Sequence, residues 1–168
     1  MKIEGDYGVE YDTSIFKKLG SFAAQEGSHD NIIAIPKIMW SIRIAQKYRF
    51  HTGLDLFGGV GHSAYIMAQA CDKVIVVEKE KEKADLIKKN LARVKTKNVE
   101  IVNQDNLQFL AELSKRDRFD WIDFDPYADC LLQLEYLPKI FNTGVVCISS
   151  GSITMVTRNF PGRHKMAY

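Results

Sequence analysis

The chain of 168 residues is 46% apolar and 26% charged, with a formal net charge of +2. These values suit one globular domain and exclude extended disorder, collagen-like repeats and a long coiled coil. No apolar run approaches the roughly 18 residues of a membrane span, and Met1-Lys2-Ile3-Glu4-Gly5-Asp6 lacks the apolar stretch of a signal peptide. Three scattered cysteines, Cys71, Cys130 and Cys147, offer neither a disulfide framework nor a zinc-ligand spacing, and His29, His51 and His62 have no metal-ligand spacing either. A cytoplasmic protein without a metal is expected.

Residues 1–50 read as an N-terminal helical or lid segment of the same domain as 51–168. Within it Ser28-His29-Asp30-Asn31 resembles a helix start or polar turn, and Pro36 opens a helix over 36–48 with Ile38, Ile42 and Ala45 on one face. Gly53-Leu54-Asp55-Leu56-Phe57 follows as a strand ending in Gly58-Gly59-Val60-Gly61, then a helix over Ser63–Ala70. Val74–Val77 is a continuous apolar run, as expected of a strand covered on both faces. Ala84, Ile87, Leu91 and Val94 give residues 80–95 a helical period. Its charges from Glu80 to Lys89, Lys83 included, fall on the solvated face, and Asp85 pairs with Lys89. Val99–Val102 is a third strand, Leu107–Leu113 a helix and Phe119–Phe124 a fourth strand. A helical stretch broken near Pro138 leads to a fifth strand over Gly144–Ser149. Strands alternating with helices imply an α/β, doubly wound, Rossmann-like parallel sheet with helices on both faces. Its ligand belongs at the carboxyl ends of the strands.

The glycine-rich turn after the first strand, Gly59-Val60-Gly61-His62-Ser63-Ala64, fits a nucleotide-binding pattern, and Glu78 stands where that pattern places a ribose-binding acid. Asp55 discriminates between cofactors. A carboxylate beside the turn repels the pyrophosphate of a nicotinamide dinucleotide and attracts the ammonium and sulfonium of S-adenosylmethionine.

At this point the sequence resembles the class I S-adenosylmethionine-dependent methyltransferases, from about Gly53 to Ser150. The carrying segments are Asp55-Leu56-Phe57-Gly58-Gly59-Val60-Gly61, Glu78, Asn103-Gln104-Asp105-Asn106 and Asp123-Phe124-Asp125-Pro126-Tyr127. The resemblance makes 51–168 the S-adenosylmethionine-binding domain. It implies Asp55, Phe57, Gly58, Gly59, Gly61, Glu78, Lys79, Asp105, Asn106 and Asp123 as cofactor-binding residues. Asp105 also reads as an N-cap. Asp123, Asp125, Pro126 and Tyr127 are implied as the catalytic segment. A carboxylate and a strand-end carbonyl there can accept the protons of an exocyclic base amine, turning its lone pair toward the methyl group. Tyr127 offers a stacking face.

The two-residue step from Asp125 to Tyr127 looks most like the D-x-D-P-[FY]-G segment of the tRNA guanine-N2 dimethyltransferases, with Phe160-Pro161-Gly162-Arg163 continuing the similarity. Ala128-Asp129-Cys130 departs from that family's Gly-Ser-Pro. RNA is therefore the expected substrate, with DNA adenine, protein or a small molecule as alternatives. A non-catalytic cofactor-binding subunit and a nicotinamide oxidoreductase complete the alternatives. Between Tyr136 and Tyr168 there is no acid, against Lys139, Arg158, Arg163 and Lys165, a tail that suits either a solvated surface or a phosphate-binding edge. About 18 residues after Ser150 are too few for the usual sixth and seventh strands. A natural minimal form or a fragment is expected, with an open sheet edge that a homo-oligomer or other partner covers.

Overall fold

A computed structural model describes residues 2–4, 10–12, 35–114, 116–126 and 130–149. Their elements, in chain order, are β1 (Lys2–Glu4), β2 (Glu10–Asp12), α1 (Ile35–Lys47), β3 (Phe50–Asp55), α2 (His62–Met67), β4 (Cys71–Val77) and α3 (Lys81–Arg93). There follow β5 (Val99–Val102), α4 (Asn106–Glu112), β6 (Phe119–Phe124), α5 (Leu131–Leu134), α6 (Leu137–Ile140) and β7 (Phe141–Ile148). β1 and β2 pair as a two-stranded antiparallel ribbon, Lys2 opposite Asp12, in the segment expected to be helical or a lid. Ser28–Asn31, Tyr127–Asp129 and the tail from Ser150, with Phe160, Arg158, Arg163 and Lys165, lie outside the described residues.

The main sheet has the order β5-β4-β3-β6-β7, and every neighbouring pair is parallel. The chain winds outward from β3 through β4 to β5, then returns to place β6 on the other side of β3 and β7 beyond it. The sheet is thus the doubly wound Rossmann-like one, and its winding reverses between β3 and β6. Alternate side chains of the strands feed two cores. Ile38 and Ile42 of α1, Ala64 and Met67 of α2, and Ile87 and Leu91 of α3 cover one face with Val74, Val76 and Trp121. Phe109 and Leu110 of α4 and Ile140 of α6 cover the other with Leu54, Leu56, Ile122 and Phe124. All six residues of β6 are buried, Asp120 and Asp123 among them, so the strand is covered on both faces.

Three strands begin earlier than their apolar runs. β3 starts at Phe50, β4 at Cys71 and β7 at Phe141. The extra residues, such as His51, Asp72, Lys73, Asn142 and Thr143, are exposed and polar, so hydropathy does not register them. Side-chain bonds hold these ends instead. The Asp120 carboxylate accepts the His51 and Thr52 amides at 3.0 and 3.1 Å and the Asn142 side-chain amide at 3.0 Å. Burial opposes the charge of Asp120, yet these donors hold its carboxyl below the usual range.

Helix α2 stops at Met67 rather than Ala70 because the amides of Gln69 and Ala70 turn back to the Ile66 and Met67 carbonyls, three residues earlier. On α3, Asp85 meets Lys81 one turn back, at 3.3 Å, rather than Lys89. Lys83 is buried, not solvated, with its Nζ 3.3 Å from Glu80 Oε1. The described helices include none long and apolar enough to cross a membrane.

Candidate functional site

The glycine loop is built by close approach. A Cβ on Gly58 would stand 2.7 Å from both Val76 and Ile87, so only glycine lets the chain pass this near to β4 and α3. Gly59 and Gly61 have φ of 53° and 94°, and the left-handed Gly61 serves as the N-cap of α2. Above Gly59 the space is open, the nearest atom to an added Cβ being the Phe57 carbonyl oxygen at 3.9 Å. Glu78, just past the end of β4, ties the loop down. Its Oε2 accepts the Gly59 amide at 3.0 Å and its Oε1 the Glu80 amide at 2.9 Å. The loop and its acid are thus brought together as the sequence places them.

Next to the loop lies a cluster of carboxylates at the switch point. Asp55 ends β3 and stands in register with Asp123 on β6. Both are buried. The Asp55 Oδ1 accepts the Phe57 amide at 3.1 Å, whereas its Oδ2 is a buried acceptor without a hydrogen bond. Asp123 Oδ1 likewise completes no hydrogen bond. Burial, then the neighbouring Asp123 and Asp125, push the Asp55 carboxyl up to about 7, with Lys37 and the Phe57 amide opposing. Burial also raises the Asp123 carboxyl, against the pull of Lys37 and Ser63.

Lys37 was not singled out by sequence, and it joins the cluster. From the first turn of α1 its Nζ reaches Asp123 Oδ2 at 2.9 Å and Asp125 Oδ2 at 2.6 Å, and it donates to the Ser63 hydroxyl at 3.4 Å. Burial disfavours the ammonium, but the two carboxylates overcome this and hold its pKa above the ordinary value. The only signal in the sequence was its place directly after Pro36 at a helix start. A lysine there is ordinarily solvated, and nothing local tells that it meets residues 86 and 88 positions later. Asp125 itself is 41% exposed, so its carboxylate faces both Lys37 and solvent.

The remaining predicted residues divide. Asp105 caps α4, its Oδ1 accepting the Leu107 and Gln108 amides at 2.9 and 3.3 Å. Asn106 donates to the Leu56 carbonyl at 3.3 Å and receives Gln133 at 2.9 Å, which links the loop after β3 to α5. Asn103 donates to the carbonyls of Glu78 and Lys79 at 2.8 and 3.0 Å, aligning the ends of β4 and β5. Lys79 is exposed, Phe57 and Pro126 are half-buried, and Tyr127 lies outside the described residues. Among the described residues no group of three His, Cys, Asp or Glu is placed to hold a metal ion.

The arrangement sets one ammonium among three carboxylates, with two buried oxygens unpaired. Buried acceptors demand donors, so the site suits N–H groups and positive charge and disfavours anions.

Comparisons with known proteins agree with this architecture. A family model described as "Conserved hypothetical protein 95" matches residues 39–159. Comparison with curated protein sequences found no match. Among solved structures, the chain is similar to Trm5b from Pyrococcus abyssi, at 21% identity and a TM-score of 0.54 over 66% of this chain and 33% of that one. A precorrin-8w decarboxylase from Methanobacterium thermoautotrophicum gives 15% identity and a TM-score of 0.67 over 82% and 74%. An rRNA methylase from Streptococcus thermophilus gives 15% and 0.59 over 73% and 77%. At these identities the likeness is one of fold, and the chain spans only a third of the length of the Pyrococcus protein.

Proposed function

The chain belongs to the family described as conserved hypothetical protein 95, and from that premise we propose that it is an S-adenosylmethionine-dependent methyltransferase acting on an exocyclic base amine of RNA. The observation that carries the reading is the grip of Asp123 and Asp125 on a primary ammonium, that of Lys37, at 2.9 and 2.6 Å. The acid pair at the end of β6 is therefore spaced to accept N–H donors.

The cofactor fits the residues present. The unpaired buried oxygens of Asp55 and Asp123 are suited to an ammonium, the open space above Gly59 leaves room against the loop backbone, and Glu78 is suited to ribose hydroxyls. When bound, S-adenosylmethionine supplies a methyl group made electrophilic by its sulfonium. The chain's own part is orientation and proton handling. Asp125 binds Lys37 through Oδ2, and its exposed carboxylate has a second oxygen to accept a proton of the target amine. That hydrogen bond turns the amine lone pair toward the methyl and then takes the released proton out to solvent. RNA as the substrate class is supported by the rRNA methylase among the structural neighbours and by the resemblance of Asp123–Tyr127 to the tRNA guanine-N2 dimethyltransferases.

The test is transfer of labelled methyl from S-adenosylmethionine to separate tRNA, rRNA, DNA and protein fractions. Wild type should label RNA. Asp125→Ala should lose about 100-fold or more in rate with unchanged cofactor affinity. Label confined to protein, or full activity in Asp125→Ala, overturns the proposal.

A further inference from the structure

Helix α1 has a second face that the acid cluster does not use. Ile38, Ile42 and Ala45 turn into the core. Trp40, Arg43 and Lys47, spaced i, i+3, i+7, share the opposite stripe, with Lys37 one turn before Trp40. Trp40 is 58% exposed, unusual for so large an apolar side chain, and the Arg43 guanidinium lies 5.3 Å above its ring. At the far end Lys47 sits 5.3 Å from the ring of Tyr48, itself 46% exposed. Between Asp30 and Asp55 the chain has no acid, against four cations, Lys37, Arg43, Lys47 and Arg49. Arg49 is committed to the helix end, donating to the Ala45 and Tyr48 carbonyls at 2.8 Å. Arg43 and Lys47 face solvent.

We infer that the Trp40–Arg43–Lys47 stripe of α1 is a docking track for single-stranded RNA, leading the strand to the Asp123–Asp125 pair that Lys37 touches. The inference rests on the RNA reading above. Its independent basis is charge and chemistry. Exposed aromatics beside cations, with no acid among them, match a strand that alternates stackable bases with phosphates. The stripe also has direction: from Lys37 at the acid pair to Lys47 it runs about 15 Å along the helix axis. A second protein copy is the competing occupant, but a stripe whose two charged side chains, Arg43 and Lys47, are both cationic repels its own duplicate.

The experiment is fluorescence anisotropy of the full chain with a short labelled single-stranded oligoribonucleotide of mixed sequence, titrated over a range of KCl concentrations. Trp40→Ala should weaken binding roughly 5- to 100-fold through lost stacking, and Trp40→Phe should restore part of it. Arg43→Gln with Lys47→Gln should flatten the slope of log affinity against log salt by about 1.4, two contacts at about 0.7 each. S-adenosylmethionine affinity and the far-UV spectrum should stay unchanged in all three, separating a lost track from a lost fold. If wild type binds RNA and the variants match it in affinity and slope, the track is wrong and the RNA reading survives. If wild type shows no salt-dependent RNA binding, both fall. If Trp40→Ala changes only the sedimentation coefficient, the stripe is a self-association face and the inference is refuted.

Discussion

Replacing Lys37 by Met keeps the aliphatic reach of the side chain and removes its charge. Asp123, 2% exposed, then loses the ammonium 2.9 Å away, and Asp55 loses an opposing charge in the same cluster. Removing one member of a buried ion pair costs about 3–5 kcal/mol, because the other charge stays buried. The low end applies here. Asp125 is 41% exposed and rehydrates, and Asp123 can take up a proton. We expect a loss of about 3 kcal/mol near pH 8, or a fall in Tm of about 6–12 °C for a chain of this size.

The pH dependence distinguishes this mechanism from simple loss of packing. Asp55 and Asp123 have folded-state pKa values above the ordinary 3.8. Such groups bind more protons folded than unfolded, so stability is greatest below the unfolded value and falls as pH rises through the folded one. Without Lys37 both values rise further, so the cost of Lys37→Met should be larger near pH 8 than near pH 5. Urea unfolding at both pH values measures it. Lys37→Met combined with Asp123→Asn should recover much of the loss, since no buried charge is then left unpaired. An equal loss at both pH values, or no recovery in the double variant, would refute the reasoning.

Three further outcomes are expected. Glu78→Ala should raise the Kd for S-adenosylmethionine roughly 10- to 100-fold by removing a charged acceptor; calorimetry giving an unchanged Kd means the carboxylate serves only the Gly59 and Glu80 amides. Because Asp55 titrates at about 7, cofactor affinity should rise with pH from 6 to 8 as the carboxylate ionises, and Asp55→Asn should abolish that rise; a pH-independent Kd in wild type removes Asp55 from ammonium binding. Lys95 has φ 61° at the end of α3, where its amide meets the Ala92 carbonyl and the Thr96 amide the Leu91 carbonyl, so Lys95→Gly should stabilise by about 0.5–1 kcal/mol, seen as a raised Tm.

What the sequence revealed follows from which forces act locally. β6 is bounded where the sequence places it because burial begins at Phe119 and ends at Phe124. The amino ends of β3, β4 and β7 are polar, and β3 and β7 are pinned there by Asp120, whose partners lie tens of residues away. The glycine loop, Asp55 and Glu78 were legible because a turn of positive φ after a strand has few alternative sequences. Asp105 Oδ1 is engaged as a cap, a local role that its position before α4 already announced. Lys37 was illegible for the opposite reason. Its partners are non-local, and its own surroundings in sequence are those of an ordinary helix start.

The sheet alone does not choose the chemistry, since a decarboxylase and an rRNA methylase both superpose on it. The charge pattern narrows the choice. Asp55, Asp123 and Asp125 outnumber Lys37 at the switch point, so fixed phosphates are repelled there and N–H donors are drawn in. A polyanion can still present one base to such a site if its backbone is held elsewhere. Helix α1 offers that separation within one element. Its first turn puts Lys37 among the acids, while Arg43 and Lys47 stand one to three turns away on the solvent side. Under the proposed reading, an amine on a flipped base would meet the carboxylates at the ends of β3 and β6, and a phosphate on its neighbour the cations of α1.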